Sequence, residues 1–385
     1  MLRVDERGRS DALRAPGLRV SGIRVAIAGV GNCASALLQG IEHYRRVPRA
    51  AQEAFGLLHL ELGGYRPEDV EVVAAFDVDR RKVGRALHEA AFAAPNCTRV
   101  IADEIAKSEI VVEMGPVLDG VAPHMSDYAA ERSFRVADEE PVDVAERLRA
   151  SGAEILLCYL PVGSTRAVHA YAEACLAAGV SLVNCIPVFV VSDPAWGERF
   201  RAAGIPCAGD DIKSQLGATI FHRMVTRLFA ERGVRVEHTY QLNTGGNTDF
   251  LNMLSRERLA SKKVSKTEAV TSQLPYALAA DDVHVGPSDY VPWQNDNKVC
   301  FLRVEGTGFG GAPVELEARL SVQDSPNSAG IVIDVIRAVK LARERRIAGP
   351  LLAVSAFAMK HPPVQMRDEL AARRVEEFVA GHGDA

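Results

Sequence analysis

Residues 23–35 have the sequence IRVAIAGVGNCAS, and this stretch decides the fold. An apolar run with β-branched residues leads into the turn Gly29-Val30-Gly31-Asn32-Cys33-Ala34, and a helical pattern follows over residues 34–44. Gly29 permits a tight turn, Gly31 lets the backbone approach a pyrophosphate, and Ala34 lets helix and strand pack closely. The helix N-terminus would hold the charge of the pyrophosphate. The stretch therefore predicts a nucleotide-binding strand, turn and helix.

A second predicted strand, residues 70–76, ends at Asp77 and Asp79. A carboxylate there accepts hydrogen bonds from the adenosine ribose, although a surface acidic pair closing the strand would look the same. The spacing between the glycines and Asp77 is much longer than the roughly 20 residues of a minimal nucleotide-binding unit. We therefore expect an insertion over residues 45–66. The acidic residues favour NAD, whereas the neighbouring Arg80 and Arg81 leave NADP open.

Composition predicts an ordinary globular protein of about two domains. The chain has 385 residues, of which 48% are hydrophobic and 25% charged, and its net charge of −5 gives no general attraction for nucleic acid. There is no apolar run of about 18 residues and no signal-peptide core, so we expect a cytoplasmic protein without a membrane role. Residues 1–21 are charged and are predicted to form a mobile extension. The seven scattered cysteines lack CxxC spacing, which predicts reduced thiols without a disulfide framework or a structural zinc site.

Short apolar runs alternate with amphipathic stretches beyond the second strand. We predict strands over residues 154–160, 181–186 and 205–207 and a helix over residues 164–178, the pattern of a doubly wound parallel sheet. Pro161 and Ser164 follow the first of these strands, at the end where open sheets bind ligands. Ordinary turns rich in Pro, Gly and Ser explain such loops equally well.

Residues 209–217, GDDIKSQLG, are predicted to open a helix that continues to about residue 232. Ser214, Gln215 and the free N–H groups of the first turn would then form an anion site suited to a phosphate. Alternatively, Asp211 or Ser214 serves only as the N-cap, but that interpretation leaves Lys213 unexplained.

The second half of the chain changes in character. A strand is predicted over residues 234–242, followed by the polar loop NTGGNTD, which is suited to a polyol. Lys262 and Lys266 are spaced i, i+4, so on a helix they share a face and disfavour each other's charge. Such a pair can act as a proton donor, an oxyanion stabiliser or a nucleophile, or it can be a solvated basic face. Antiparallel strands are predicted over residues 299–304 and 314–322, and residues 324–330 are predicted to precede a helix over residues 331–343.

Eight motifs follow one another between residues 23 and 363: GVGNCAS, FDVD, YLPVGS, GDDIKSQLGAT, QLNTGGNTDFLNM, SKKVSKTEAV, HVGPSDYVPW and DSPNSAGIVID. In this order they resemble the bacterial type of myo-inositol-1-phosphate synthase, and the resemblance covers residues 23–363. It implies a discontinuous Rossmann-like α/β domain, residues 22–213 and 325–385, with a doubly wound parallel sheet. Residues 214–324 would form an α+β domain for catalysis and tetramerisation.

The resemblance also implies an activity. The family converts glucose 6-phosphate to inositol 1-phosphate with no net oxidation, using NAD. The fifth carbon is oxidised, the sixth is deprotonated, an intramolecular aldol step closes the ring, and the ketone is reduced again. The implied partners are glucose 6-phosphate and further copies of the chain in a homotetramer, without nucleic acid or membrane.

Site residues follow from the family's motifs. The catalytic set implied by the resemblance is Lys262, Lys266, Lys298, Asp211, Asp249 and Asp324. The cofactor set is Gly29, Gly31, Asn32, Cys33, Ala34, Asp77, Pro161 and Ser164. The substrate set is Lys213, Ser214, Gln215 and Asn247. A divalent or other activating cation is implied at Asp324 and Ser325, where Ser325 and Asn327 could instead only cap the following helix.

Three alternative functions remain open from the sequence. An ordinary NAD-dependent dehydrogenase would use the same glycine turn but needs one acid or base instead of three lysines, and a nucleotide-responsive binding protein would lack some of the charged residues. A cyclase of a related sugar phosphate would keep every motif. Which lysine accepts a proton also stays open.

Overall fold

Two sheets organise the protein, which we describe from a computed structural model over residues 22–382. The extension predicted over residues 1–21 lies outside the described residues. The strands are β1 Ile23–Ala28, β2 Val70–Asp77, β3 Val112–Met114, β4 Ile155–Cys158, β5 Ser181–Asn184, β6 Pro206–Cys207, β7 Arg235–Gly245, β8 Val283–Tyr290, β9 Asn297–Thr307, β10 Pro313–Gln323 and β11 Gly349–Pro350. The α-helices are α1 Asn32–Arg46, α2 Leu87–Ala90, α3 Val144–Ser151, α4 Thr165–Ala178, α5 Pro194–Ala202, α6 Ala218–Glu231, α7 Thr248–Asn252, α8 Ala260–Thr271, α9 Asp324–Glu344, α10 Leu352–Ala358 and α11 Asp368–Val379.

The first sheet is parallel, with strand order β3-β2-β1-β4-β5. Ala28 at the end of β1 lies beside Phe76 of β2 and Cys158 of β4, so the carboxyl ends of the central strands meet at one edge. β6 follows β5 through a parallel bridge between Val183 and Ala208, and β11 pairs with β6. Helices α1, α9 and α10 cover one face of the sheet, and α3, α4 and α5 cover the other. The predicted doubly wound α/β class is confirmed.

The glycine turn joins β1 to α1 as predicted. Gly29 has φ +95°, and a Cβ there would lie 2.8 Å from the carbonyl oxygen of Tyr159 on the adjacent strand. Only glycine fits this turn, because both the positive φ and the close strand exclude a side chain. Ala34 is fully buried between α1 and the sheet.

A folded insertion explains the long spacing between the glycines and Asp77. After α1 the chain crosses the outer surface of α9, where Arg337 donates to the carbonyl oxygens of His59 at 2.7 Å and Leu60 at 3.0 Å. The carboxylate of Asp334, one turn earlier on α9, accepts from Leu58 N at 2.7 Å. These bonds satisfy backbone groups that have no helix or sheet of their own.

The second sheet has the order β10-β9-β7-β8. β9 and β10 are the predicted antiparallel strands, and they pair with each other as a hairpin. Helices α6 and α8 pack against this half of the molecule. β7 continues to Gly245, beyond the predicted end at residue 242, because Asn243 and Thr244 keep their register with Cys300 and Val299. Part of the predicted polar loop is therefore strand.

Two predicted helix starts are wrong. α6 begins at Ala218, so Ser214 and Gln215 lie in the preceding loop and not in its first turn. α9 begins at Asp324, seven residues before the predicted start. Asp296 supports this early start, since its backbone oxygen accepts from Asp324 N and its carboxylate accepts from Ser325 N at 3.1 Å. At the start of α9, hydrogen bonds to Asp296 thus replace the capping by nearby residues that the prediction assumed.

Two further expectations concern the chain as a whole. All seven cysteines are free thiols, as predicted. Among the helices between residues 22 and 382, none has both the length and the apolar character needed to cross a bilayer.

Candidate active site

One cavity of about 160 Å³ brings together the glycine turn and the lysines of the second half. It lies at the carboxyl edge of the parallel sheet, where the structure of doubly wound proteins leaves room for a ligand. The predicted site residues that line it are Gly31, Asn32, Cys33, Pro161, Asp211, Ser214, Asn247, Asp249, Lys262, Lys266, Lys298, Asp324 and Ser325. Segments almost 300 residues apart in the sequence therefore share one site.

Four lysines from three elements line this cavity. Lys262 and Lys266 lie one turn apart on α8 and are both buried, so the pair is not a solvated basic face. Lys298 comes from β9, and Lys360 from the segment after α10. Burying several ammonium groups is unfavourable unless carboxylates compensate them.

Asp211 is the main compensating carboxylate. It is 1% exposed, and it accepts from Lys360 Nζ at 2.8 Å and from Ser265 Oγ at 2.6 Å, while Lys262 Nζ lies 3.7 Å away. Burial acts to raise the pKa of Asp211, but the charges of Lys262 and Lys360 outweigh it and hold the pKa well below its usual range. Asp211 is therefore ionised throughout the neutral range.

Lys262 and Lys298 are also paired. Asp249 lies 4.0 Å from Lys262, and Asp324 lies 3.2 Å from Lys298. Burial acts to lower the pKa of Lys262, yet the surrounding carboxylates outweigh burial and raise it, so this amine stays charged. Burial acts to raise the pKa of Asp324, but the charges of Lys298, Lys360 and Lys262 together outweigh it and lower the pKa.

Lys266 differs from the other three. No carboxylate lies within 4.0 Å of its Nζ among residues 22–382, and the side chain is 3% exposed. Burial, reinforced by the charges of Lys298, Lys262 and Lys360, holds the pKa of Lys266 well below its usual value. Burial also lowers the pKa of Lys360, although Asp211 opposes that shift. Lys266 is the amine that the site favours in its neutral form.

Asp211→Asn is expected to destabilise the protein by about 3 to 5 kcal/mol, because it leaves two buried ammonium groups without their shared carboxylate. The free energy of unfolding, measured in urea near pH 7, tests this. Since the folded-state pKa of Asp211 is depressed, its contribution is present above the unfolded value of about 3.9 and is lost as the pH falls through the folded value. The difference from wild type should therefore shrink in acid.

The matched control is Asp281→Asn, which changes an exposed carboxylate and should leave the free energy of unfolding within about 0.5 kcal/mol of wild type. An Asp211→Asn protein as stable as this control would show that Asp211 does not stabilise the lysines.

The glycine turn is shaped for a ligand. A Cβ at Gly31 would meet no protein atom within 4 Å, and its φ of −89° is open to any residue. The protein itself thus gives no reason for glycine here, whereas a pyrophosphate against the backbone does. The N-terminal N–H groups of α1 begin at the next residue. These features fit a dinucleotide.

Asp77 and Asp79 have separate roles. The carboxylate of Asp77 accepts from Val30 N at 2.7 Å within the glycine turn and from Asp79 N at 2.8 Å. Asp79 is fully buried and forms a salt bridge of 2.5 Å with Arg81, so its carboxylate and that guanidinium hold the loop together. Asp77 does not line the cavity, and its contact with a ribose stays a prediction; Arg81 is held by Asp79 and is unavailable for an extra phosphate.

The remaining cofactor residues divide into two groups. Asn32 lines the cavity and also accepts from the backbone of Cys97 and Thr98 at 2.7 and 3.1 Å. Burial raises the pKa of the Cys33 thiol to about 12, so it stays protonated. Ser164 is fully buried and does not line the cavity, because its hydroxyl donates to Pro161 O at 2.6 Å. Ser164 therefore stabilises the loop that contains Pro161 without facing the cavity.

The predicted phosphate set is only partly brought together. Lys213 does not line the cavity, because its Nζ donates to Ala356 O at 2.7 Å and lies 3.5 Å from Asp368. Burial lowers its pKa to about 7. Gln215 does not line the cavity either, whereas Ser214 does, together with Gly217 and the first residues of α6. The first turn of α6, with its free N–H groups, thus begins at Ala218, after both Ser214 and Gln215.

Asn247 and Asp249 lie at the start of α7. The oxygen of the Asn247 side chain accepts from Asp249 N at 3.1 Å and from Phe250 N at 3.2 Å, which is the geometry of an N-cap. Its amide nitrogen donates to Asp296 at 3.0 Å. Capping holds both Asn247 and Asp249 at the wall of the cavity.

The donor set at Asp324 and Ser325 does not fit a cation. Lys298 already compensates the carboxylate of Asp324, and the Ser325 hydroxyl donates to Asp296 at 2.9 Å. The part of the chain that the structure describes holds no cluster of three or more His, Cys, Asp or Glu side chains arranged for a metal. Neither Ser325 nor Asn327 caps α9, since both lie inside it and its N-cap is Gln323.

Sequence reasoning missed Lys360 as a site residue. It donates to Asp211 and, at 2.6 Å, to Ile212 O. The available signal was a lone lysine at the end of an apolar run, which is unfavourable in a core unless the amine has a partner. Only the fold shows that the partner is Asp211.

Known proteins match this chain over nearly its full length. The family model described as myo-inositol-1-phosphate synthase matches residues 217–325. The inositol-3-phosphate synthase of Corynebacterium glutamicum is 52% identical over 367 residues, which cover 94% of this chain and 99% of that protein. That of Mycolicibacterium smegmatis is 51% identical over 363 residues, covering 93% and 98%.

A solved structure agrees with these matches. The myo-inositol-1-phosphate synthase-related protein from Thermotoga maritima has a TM-score of 0.77 at 25% identity, covering 94% of this chain and 100% of that chain. About half of the residues of this chain are identical to those of curated relatives over 93–94% of its length, so this chain belongs to the myo-inositol-1-phosphate synthase family.

Proposed function

We propose that the protein is an inositol-3-phosphate synthase that converts glucose 6-phosphate to inositol 1-phosphate with NAD and without net oxidation. The observation that carries the proposal is the cavity itself, where a glycine turn fit for a dinucleotide faces four lysines. Within residues 22–382, only one of these lysines has no carboxylate within 4.0 Å. A redox cofactor and a cluster of cations at one place suit a reaction that needs both hydride transfer and carbanion chemistry.

Lys266 is proposed as the general base. After oxidation of the fifth carbon to a ketone, the protons on the sixth carbon become acidic. Removal of one of them gives an enolate, in which the negative charge is delocalised onto the ketone oxygen. A neutral amine can accept that proton, and the environment of Lys266 favours the neutral form. The other three lysines have carboxylate partners.

Lys262, Lys298 and Lys360 are proposed to stabilise the negative charge that develops on oxygen. The enolate carbon attacks the aldehyde of the first carbon, a carbon–carbon bond forms, and the aldehyde oxygen becomes an alkoxide that takes up a proton. Fixed ammonium groups in a buried site stabilise enolate and alkoxide better than water does. Asp211 and Asp324 hold these amines in position through hydrogen bonds from Lys360 and Lys298.

The cofactor would be held by Gly29 and Gly31, the N-terminus of α1, Asp77 and Pro161. When bound, NAD supplies a hydride acceptor at the start of the reaction and a hydride donor at its end. Asp77 would accept hydrogen bonds from the ribose, and Pro161 would border the nicotinamide side of the cavity. The position of Asp324 beside Lys298 leaves no role for a cation in this proposal.

The substrate would lie between α6 and α7. We propose that its phosphate binds at Ser214 and the N-terminus of α6, and that Asn247 and Asp249 contact its hydroxyl groups. Lys213, although implied by the resemblance, would act only by holding the loop to Ala356.

Incubation of the purified protein with glucose 6-phosphate and catalytic NAD tests the activity. We expect phosphorus NMR to show an inositol phosphate while absorbance at the NADH wavelength stays constant. NADH growing in step with an oxidised product would instead establish an NAD-dependent dehydrogenase. Turnover only of another sugar phosphate would establish a related cyclase.

Asp77→Ala is expected to weaken NAD binding by about tenfold, because it removes the acceptor for the ribose hydroxyls and a bond to the glycine turn. Calorimetric titration with NAD measures this. Asp138→Ala changes an exposed carboxylate and should leave NAD affinity unchanged. Unchanged affinity in both variants would contradict the ribose contact at Asp77.

We also propose that the protein works in the cytoplasm as a homotetramer, as the family resemblance implies. The domain division at residues 213 and 325 stays a prediction. Sedimentation equilibrium of the purified protein, whose chain mass is 41.6 kDa, tests the tetramer directly.

A further inference from the structure

Arg223 on α6 is fully buried and does not line the cavity, yet it binds two segments that carry lysines of the site. These are α8, with Lys262 and Lys266, and the segment that follows Lys360. We propose that Arg223 is a positioning residue that holds these two segments at a fixed separation, and so fixes the distance between Lys266 and Lys360. The inference rests on the proposed role of Lys266 as the base and adds a residue that acts through it.

Arg223 binds α8 near its C-terminal end. Its Nη1 donates to Ala269 O at 2.5 Å, three residues after Lys266, and lies 3.4 Å from Ser272 Oγ. The last carbonyl groups of a helix have no N–H partner within the helix and carry the negative end of its dipole. A guanidinium at this carbonyl therefore stabilises the last turn of α8 and attaches it to α6.

The same guanidinium binds the segment after Lys360. Its Nη2 donates to Met366 O at 2.8 Å, and its Nη1 lies 3.4 Å from Gln365 Oε1. The amide nitrogen of Gln365 donates to Lys360 O at 2.8 Å, so the amide oxygen is the atom that faces Arg223. A continuous path of hydrogen bonds thus links Ala269 on α8 to the backbone of Lys360.

Asp368, the first residue of α11, compensates the buried charge of Arg223. Arg223 Nε donates to one carboxylate oxygen at 3.0 Å, and Lys213 Nζ lies 3.5 Å from the other. A planar guanidinium presents its N–H groups as a rigid fork, and here the fork meets acceptors on α8, on the segment after Lys360 and on α11 at once. The single ammonium group of a lysine has no such fork, so lysine would not replace Arg223.

The separation matters because Lys266 is surrounded by charges. The charged and titratable groups that face it are Lys262, Lys298, Lys360, Asp211 and the neutral thiol of Cys300. Burial and the three ammonium groups favour the neutral amine of Lys266, whereas Asp211 opposes them. If α8 moved away from Lys360, the repulsion would weaken and water would enter, so the pKa of Lys266 would rise.

Arg223→Met and Arg223→Lys test the proposal through the titration of Lys266. Lysine is labelled with carbon-13 at Cε, and the chemical shift of Lys266 Cε is followed against pH in the purified protein. The signal is identified by its absence from Lys266→Ala. The falling limb of kcat at low pH, measured with glucose 6-phosphate, reports the same titration.

We expect both Arg223 variants to move the titration to higher pH by about 1 pH unit, because neither keeps the fork that joins the two segments. The midpoint of a titration does not depend on how many molecules are folded. A loss of stability alone would therefore not produce this shift.

Two further variants complete the comparison. Arg227→Met is the matched control, because Arg227 lies one turn further along α6 and pairs with Glu231 and Glu369. It should leave the titration of Lys266 within about 0.2 pH unit of wild type. Gln365→Met keeps every charge and removes the bond to Lys360 O, so it should move the titration in the same direction by a smaller amount.

A titration that stays within about 0.2 pH unit of wild type in both Arg223 variants would overturn the positioning role. A shift in Arg223→Met that is absent from Arg223→Lys would also overturn it, because the lost charge alone would then explain the shift. Should neither variant fold, an unmoved titration in Gln365→Met overturns it. Lack of turnover by wild type would contradict the proposed function alone, because the NMR titration still compares the variants.

Discussion

Lys266→Ala should lower kcat by about 10³-fold or more while leaving NAD affinity within about threefold of wild type. The reason is that the variant removes the one buried lysine that has no carboxylate within 4.0 Å in the described chain, and general base catalysis contributes about 10²-fold to 10⁴-fold. Stopped-time product assays by phosphorus NMR and calorimetric titration with NAD measure the two quantities separately.

Lys263→Ala is the matched control. Lys263 lies on the same helix, next to Lys262, but its side chain is exposed, so its loss should leave kcat within about twofold. A Lys266→Ala protein whose turnover stays within a few-fold of wild type would refute the assignment of Lys266 as the base.

The same residue determines the pH dependence. A base must be unprotonated, so kcat should fall tenfold per pH unit below the pKa of Lys266, and this limb should lie well below the usual lysine value of about 10.4. Lys298→Met removes a positive charge beside Lys266, so the limb should move to higher pH even though the maximal rate also falls. A limb that stays in place would mean that another group titrates.

Gly31→Val should abolish measurable NAD binding, with a loss of at least about 100-fold, or about 2.7 kcal/mol. A Cβ at Gly31 meets no protein atom, so the fold should tolerate valine, and the free energy of unfolding without cofactor should stay within about 1 kcal/mol of wild type. The branched side chain would instead fill the space into which the pyrophosphate fits.

Gly40→Ala provides the comparison for this experiment. Gly40 also has open space around a Cβ but lies in the middle of α1, away from the turn, so alanine should leave NAD affinity unchanged. Its higher helix propensity should stabilise the protein by about 0.5 to 1 kcal/mol. Normal NAD binding by Gly31→Val would move the dinucleotide away from the glycine turn.

Local sequence patterns predicted what depends on local geometry. The glycine turn after β1 follows from the positive φ of Gly29, which depends only on that residue and its neighbours along the chain. The shared face of Lys262 and Lys266 follows from the helical repeat, and strands β9 and β10 follow from two runs of alternating apolar residues. Each of these predictions needs only neighbours along the chain.

Local sequence patterns did not predict correctly where helices α6 and α9 begin. α9 begins at Asp324 because Asp296, from the far end of the preceding hairpin, supplies acceptors for its first N–H groups. Pro326 does not prevent this start, since a residue in the first turn needs no N–H partner. A distant partner thus replaced the capping residue that sequence rules require nearby.

The sequence by itself determined the family, the parallel α/β fold and most residues of the site, because those motifs are long and their spacing is characteristic. Only the tertiary structure decided that Lys213 turns toward Ala356, that Lys360 joins the cavity and that Asp211 compensates two amines. The physical reason is that the charge state of a buried lysine depends on which carboxylates surround it. Those carboxylates come from strands, loops and helices that meet only when the chain is folded.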